Sequence, residues 1–387
     1  MALFDDAYTA DPHPVLARLR GSGPVHRVRS AAGIPFWLVT RWDEARQVLT
    51  DASLSKRQPV DQLPAPLRAA LATQMLLRDP PDHTRLRRLV SAAFTGRRVQ
   101  ALEPEIVRIT DRLLDGLATE AEPDLIGRFA VPLPFAVICE LLGVPEEDRG
   151  PFRAWSDVII TGGSGPAGMA EAMAEIVAYF RDLIARKAAR PAEDLLSALL
   201  DVLDDGDDLV GMALLLLVAG HETTANLIGN AVYLLSRWPD QRDRLRDDPD
   251  LLPALVEEVL RLASPAATST YRVTTRPTTI GATTIPAGEQ VLVSLLAVNR
   301  DPERFAAADT LDLERGDAGH LAFGHGVHFC LGAPLARLEA RVALGRLLGR
   351  FPDLRPAVPA EDLRWRSGLL MHGLEALPVR LTGATGP

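Results

Sequence analysis

Apolar residues recur at helical spacing along most of this 387-residue chain and alternate with polar ones in only two short regions. The pattern predicts a short helix over Pro14–Arg20, a strand pair at Pro24–Val28 and Phe36–Thr40, and a helix from about Asp43 to Leu49. Helical periodicity then dominates from Pro64 to Leu262. A second β region follows, at Thr270–Val273, Thr279–Ile280 and Gln290–Leu295, with a turn over Ile285–Glu289. The expected architecture is mainly α with small β-sheets. Pro- and Gly-rich stretches are short, no repeat is present, and the loose tract is the tail Thr382–Pro387, so residues 1–387 are read as one domain.

The longest helical pattern starts near Asp207 or Asp208, either a fitting N-cap, and must end before Pro239. About thirty residues at 1.5 Å each give ~45 Å, enough to cross a domain. Its centre, Ala219-Gly220-His221-Glu222-Thr223-Thr224, interrupts an apolar helix with charge, hydroxyls and a glycine that costs about 1 kcal/mol relative to alanine. A local violation of this kind often marks function. Thr223 follows Ala219 and Gly220 by three to four residues and shares their face.

The net charge of −9 argues against nucleic acid as a partner. Two cysteines in so long a chain exclude a disulfide framework and suit a reducing cytoplasm. The start, Met1-Ala2-Leu3-Phe4-Asp5-Asp6, has no signal-peptide pattern. The apolar run Met212–Gly220 is far short of the ~20 residues of a membrane span. A soluble cytoplasmic protein without a membrane anchor is expected.

Cys139 lies in the apolar run Phe135-Ala136-Val137-Ile138-Cys139 and reads as a small buried hydrophobe. Cys330 stands elsewhere, in Phe323-Gly324-His325-Gly326-Val327-His328-Phe329-Cys330-Leu331-Gly332. Glycines let the backbone fold tightly around the sulfur, and the helical stretch from Ala333 offers N–H groups that favour a thiolate. Such a thiolate suits the axial position of haem iron. His325, His328 and Cys330 also invite zinc, the weaker reading, because structural zinc takes four ligands and no second pair is present.

This string resembles the haem-binding signature of cytochrome P450 monooxygenases, F-G-x-G-x-H-x-C-x-G, with Phe323, Gly324, Gly326, His328, Cys330 and Gly332 at the fixed positions. Ala219-Gly220-His221-Glu222-Thr223-Thr224 resembles the family's oxygen-activation motif, Glu258-Val259-Leu260-Arg261 its ExxR helix, and Asp79-Pro80-Pro81-Asp82-His83-Thr84-Arg85-Leu86-Arg87 the start of its C helix. The resemblance covers about Asp11 to Val379. It implies the family's fold, with haem b buried between the long central helix and the cysteine-loop helix.

The resemblance makes Cys330 the axial iron ligand, His83, Arg87, Arg272 and His328 the propionate partners, and Ala219 and Gly220 the backbone approached by haem and O2. Thr223 would direct protons and Glu222 would supply them. Glu258 and Arg261 would brace the cysteine loop. The family's third brace is an arginine at the position of Thr310; here Arg315 is the best candidate, with Arg304 behind it. The implied activity is insertion of one oxygen atom from O2 into a C–H or C=C bond of a small molecule in secondary-metabolite tailoring. Candidate pocket walls at Arg57–Met75, Val158–Met169, Met212–Gly220, Ala263–Thr270 and Leu369–His372 are aliphatic and suit a bulky aliphatic substrate.

Neither a flavin nor an iron–sulfur segment is read, so a separate ferredoxin and an NAD(P)H-dependent ferredoxin reductase are expected to supply electrons to a monomer. Arg85, Arg88, Arg97, Arg98, Arg337 and Arg341 are the expected docking charges, against the alternative of a scattered solvated set. Three other readings stay open: an oxidative coupling enzyme of the same family, a peroxide-driven haem-thiolate enzyme, disfavoured by the intact Glu222-Thr223 pair, and a non-enzymatic haem sensor, which would not need a proton relay.

Overall fold

The computed structural model describes residues 3, 5–57, 68, 73–161, 165–203, 205–316 and 319–381. The expected helix start at Pro64, the tail 382–387 and parts of the candidate walls 57–75 and 158–169 lie outside the described residues. The chain opens with α1 (Asp6–Ala10), α2 (His13–Ser22), β1 (Val25–Arg29), β2 (Pro35–Val39), α3 (Trp42–Thr50) and β3 (Leu54–Ser55). Helices follow: α4 (Asp82–Ala93), α5 (Gly96–Ala101), α6 (Glu103–Leu117), α7 (Pro132–Leu142), α8 (Arg149–Thr161), α9 (Gly165–Ala189) and α10 (Leu195–Leu200). Next come α11 (Gly206–Arg237), α12 (Pro239–Asp247) and α13 (Leu252–Leu262). The remainder holds β4 (Arg272–Thr274), β5 (Thr278–Ile280), β6 (Thr283–Ile285), β7 (Gln290–Val293) and α14 (Leu295–Val298). It ends with α15 (Ala333–Arg350), β8 (Arg355–Pro356) and β9 (Val379–Arg380).

Two compact units are present, Met1–Ser55 with Ile106–Leu133 and Thr223–Pro387, and Lys56–Glu105 with Pro134–Glu222. The first contains every described strand. Its five-stranded sheet has the order β1-β2-β7-β4-β3, with β2 and β7 parallel and the other pairs antiparallel. Side-chain alternation sorts β2 and β7 between two cores. Phe36, Leu38 and Leu292 pack with Leu16 and Leu19 of α2. Val39, Val291 and Val293 pack with Val48 and Leu49 of α3 and with Leu321, near the start of the cysteine segment.

The second unit is helical. Phe152 of α8 packs on Phe135 of α7 and on Tyr179 and Phe180 of α9, with ring centroids 6.1, 5.3 and 5.5 Å apart. Helix α11 passes through both units, Glu222 ending its part in the second and Thr223 starting its part in the first. By length and composition it could cross a membrane, but 61% of its apolar stretch is buried in the protein, as in a core helix. Its N-terminus differs from expectation. Asp207 and Asp208 lie inside the first turn, and Asp205 Oδ1 accepts from the Asp207 N–H at 2.9 Å. Asp208 is buried instead between Arg78 (2.8 Å) and Arg85 (3.0 Å), so Arg85, one of the expected docking charges, is engaged in an ion pair.

Candidate functional site

The cysteine segment is wound by glycine. Gly324 and Gly326 have φ of 72° and 74°, a region open mainly to glycine. A Cβ on Gly326 would lie 2.9 Å from the Leu49 carbonyl oxygen at the end of α3, so the loop passes α3 at backbone distance. The Gly324 N–H donates to Leu321 O at 2.8 Å, and the Cys330 N–H to Phe323 O at 2.9 Å. Cys330 emerges exposed, three residues before α15 begins at Ala333. A Cβ on Gly332 would meet its sulfur at 3.8 Å. His328 lies in the single 3-10 turn Gly326–His328 of this loop.

Glu258 and Arg261 of α13 hold the region beneath. Arg261 donates through Nε to Glu258 Oε1 at 2.7 Å and through Nη2 to Oε2 at 2.9 Å. Its remaining hydrogens reach the carbonyls of Asn299 (3.1 Å), Ala308 (2.6 Å) and Thr310 (2.8 Å). Arg315 Nε donates to Glu258 Oε1 at 3.0 Å, while Arg304 lies over the rings of Trp42 and Phe305. The residue at the family's usual arginine position, Thr310, takes part through its backbone. Asn299 connects this network to the loop: its Oδ1 accepts from Leu321 N–H at 2.7 Å and its Nδ2 donates to Ser264 Oγ at 2.8 Å.

A second brace was not legible in the sequence. Arg337 of α15 lies over the Phe323 ring at 4.6 Å and donates to Glu257 at 2.6 and 2.8 Å. His320 also meets Glu257, at 3.1 Å. Burial alone would raise the Glu257 carboxyl, but hydrogen bonds from Arg337 and His320 outweigh it and hold the group at about 2. The only sequence signal was an acid directly before Glu258, because its partners lie 63 and 80 residues away. Arg272 of β4 is buried, and its Nη2 reaches the Leu49 carbonyl at 3.4 Å. Arg272 and the cysteine loop thus converge on the end of α3.

The first unit therefore gathers Phe323, Gly324, His328, Cys330, Gly332, Glu258, Arg261, Arg315 and Arg272, and carries Thr223. His83, Arg87, Ala219, Gly220 and Glu222 belong to the second. His83 and Arg87 are one turn apart on α4, His83 buried and Arg87 half-buried. Burial, and then the Arg87 charge, push the His83 imidazole below its ordinary range. At the centre of α11, Ala219 is exposed and Gly220, Glu222 and Thr223 are half-buried, although the helix around them is mostly buried. Gly220 also admits a neighbour, since a Cβ there would lie 3.2 Å from Ile138 Cδ1 of α7.

The first unit's residues fit a haem group: a soft sulfur just before a helix start, with a buried arginine beside its loop. No group of three metal-ligating side chains occurs among the described residues.

A family model described as Cytochrome P450 matches residues 168–372. The chain is 50% identical to Cytochrome P450 107B1 of Saccharopolyspora erythraea, over 97% of this chain and 96% of that protein. It is 48% identical to the Cytochrome P450 monooxygenase PikC of Streptomyces venezuelae, over 96% of this chain and 92% of that protein. The structure of the tirandamycin C-bound P450 monooxygenase TamI superposes with a TM-score of 0.91 at 47% identity, covering 99% of this chain and 100% of that one.

Proposed function

The chain belongs to the cytochrome P450 family, and from that premise we propose how its own residues divide the work and what they act on. It is a cytochrome P450 monooxygenase of the secondary-metabolite-tailoring kind, with haem b as cofactor and O2 as co-substrate. The haem, when bound, supplies oxygen activation and insertion of one oxygen atom into a C–H or C=C bond.

Cys330 would hold the haem iron through its thiolate, in a loop shaped by Phe323, Gly324 and Gly332. Its place in a glycine-wound turn just before α15 is the observation that carries this reading. His83, Arg87, Arg272 and His328 would hold the haem propionates through charge-assisted hydrogen bonds. Ala219 and Gly220 keep the backbone of α11 open to the cofactor. Glu222 would bring protons from solvent to the Thr223 hydroxyl, which would hold them for delivery. Glu258, Arg261 and Arg315 fix the loop and take no part in the chemistry.

Electrons come from a redox partner. We assign that role to a separate ferredoxin served by an NAD(P)H-dependent reductase, acting on a cytoplasmic monomer that works as one catalytic domain. Arg341, exposed on α15, is the suitable docking charge there, because Arg337 is committed to Glu257. The substrate is a bulky, mainly aliphatic molecule, a reading supported by the likeness to a tirandamycin-binding relative.

The test is spectral. The reduced CO complex of the parent should show the red-shifted Soret band of thiolate ligation, Cys330→Ala should lose it, and Cys139→Ala should keep it. A Cys330→Ala protein that retains the band would overturn the assignment.

A further inference from the structure

His221 lies between the glycine and the acid of the α11 motif, and its ring is held on three sides within the second unit. Nδ1 is 2.7 Å from the Leu217 carbonyl oxygen, which can only accept, so Nδ1 carries the hydrogen. Nε2 is then an acceptor, and the Ser156 hydroxyl of α8 donates to it across 3.4 Å. Phe135 of α7 meets the ring edge-on, at 5.7 Å and 78°. Both His221 and Ser156 are buried, at 3% and 0% exposure. Burial, with Arg153 adding to it, lowers the imidazole below its ordinary range against the opposing Leu217 bond and Asp157, which agrees with a neutral ring.

Two mechanical consequences follow. A helix turns ~100° per residue, so a ring fixed toward α7 and α8 also fixes where Glu222 and Thr223 point, ~100° and ~200° further round. The Leu217 carbonyl is in addition the i−4 acceptor of the His221 backbone N–H. A ring N–H on this carbonyl therefore ties the side chain to the turn containing Ala219 and Gly220, so that holding the ring holds that turn.

We infer that His221 is a positioning residue for the proton path: a neutral imidazole, clamped by Leu217, Ser156 and Phe135, that sets the orientation of the Glu222–Thr223 turn. The inference rests on the acid–alcohol reading of that pair. The ring itself exchanges no proton with substrate or cofactor and acts through Glu222.

Nitrogen-15 NMR of histidine-labelled protein tests the clamp directly. The His221 signal, identified by its loss in His221→Phe, should report the Nδ1–H tautomer, and Ser156→Ala should move its Nε2 shift. Amides 217–224 should exchange severalfold faster in both variants at an unchanged thermal midpoint, since His221→Phe keeps the ring against Phe135. With a surrogate ferredoxin and reductase, peroxide released per NADPH should rise severalfold in His221→Phe, while 4-phenylimidazole binding stays as in the parent. An Nε2–H tautomer would overturn the inference. So would unchanged exchange and peroxide yield in His221→Phe alongside a raised yield in Thr223→Ala. If neither His221→Phe nor Thr223→Ala raises the yield, the acid–alcohol reading falls and this inference with it.

Discussion

Glu258→Gln removes one negative charge from a site that holds two guanidinium groups. The parent carboxylate accepts four hydrogen bonds: two from Arg261 at 2.7 and 2.9 Å, one from Arg315 at 3.0 Å, and one from the Asp312 N–H at 3.1 Å. The Arg261, Arg315 and Glu258 side chains are only 1%, 9% and 6% exposed, so water cannot replace what is lost. The amide keeps one acceptor oxygen but turns an N–H₂ toward groups that only donate. Removing one partner of a buried ion pair costs about 3–5 kcal/mol. Arg315→Ala should cost less, about 1–3 kcal/mol, because Glu258 then still neutralises Arg261. Urea unfolding monitored by far-UV circular dichroism gives the difference from the midpoint shift at the parent slope. The thiolate Soret band of the reduced CO complex should fade at lower urea than the helical signal. A Glu258→Gln cost under about 1 kcal/mol would refute the reasoning, since it would mean that the two arginines tolerate an uncompensated charge.

Three further outcomes follow from local geometry. His372 is fully buried, stacked on Trp365 at 4.3 Å, and pushed down to about 3 by burial and then by Arg300. Below pH ~6.5 the unfolded chain takes a proton that the folded one refuses, so stability present above that pH is lost toward pH 3 at about 1.4 kcal/mol per unit. Urea midpoints from pH 7 to 5 should fall less steeply in His372→Phe, and equal slopes would count against this account. Gly326→Ala should weaken haem retention more than Gly324→Ala, because both have positive φ but only at Gly326 would the Cβ strike backbone, 2.9 Å from Leu49 O; haem loss to apomyoglobin measures the order. Asn299→Ala strips the partner from the buried Leu321 N–H and should cost about 1–3 kcal/mol with faster amide exchange over 320–330; unchanged exchange there would disprove the link.

The candidate site residues stood out in the sequence where a motif has fixed spacing over a few positions. The glycines around Cys330, the mid-helix polar break at Glu222 and Thr223, and the i, i+3 pair Glu258 and Arg261 are local patterns, and local geometry preserves them. Arg315 could be nominated from proximity in sequence, and its Nε lies 3.0 Å from Glu258. The strand pair expected at 24–28 and 36–40 forms at Val25–Arg29 and Pro35–Val39, displaced by one residue. Strands β3, β8 and β9 have two residues each, too short to carry alternation. Asp208 and Glu257 were misjudged or missed for another reason. An acid in a first helical turn looks like a cap, and an acid beside another acid looks solvated, until distant arginines arrive to bury them. His221 received no role from the sequence because its ring faces α7 and α8, elements that no motif includes.

What positions Cys330 is a series of links rather than a single contact. Glu258 orients Arg261, Arg261 donates to the Asn299 carbonyl, and Asn299 Oδ1 accepts from Leu321. Leu321 O then accepts from Gly324, and Phe323 O from Cys330 itself. Links in series are only as stiff as the loosest member, and this series ends on the loop that carries Cys330. The Arg337–Glu257 pair works in parallel there, since the guanidinium that lies over Phe323 is itself fixed by two hydrogen bonds. Order at Cys330 is therefore set by the packing of α13 and of the 299–315 segment, and the thiolate spectrum becomes a local reporter of a charge buried beneath it.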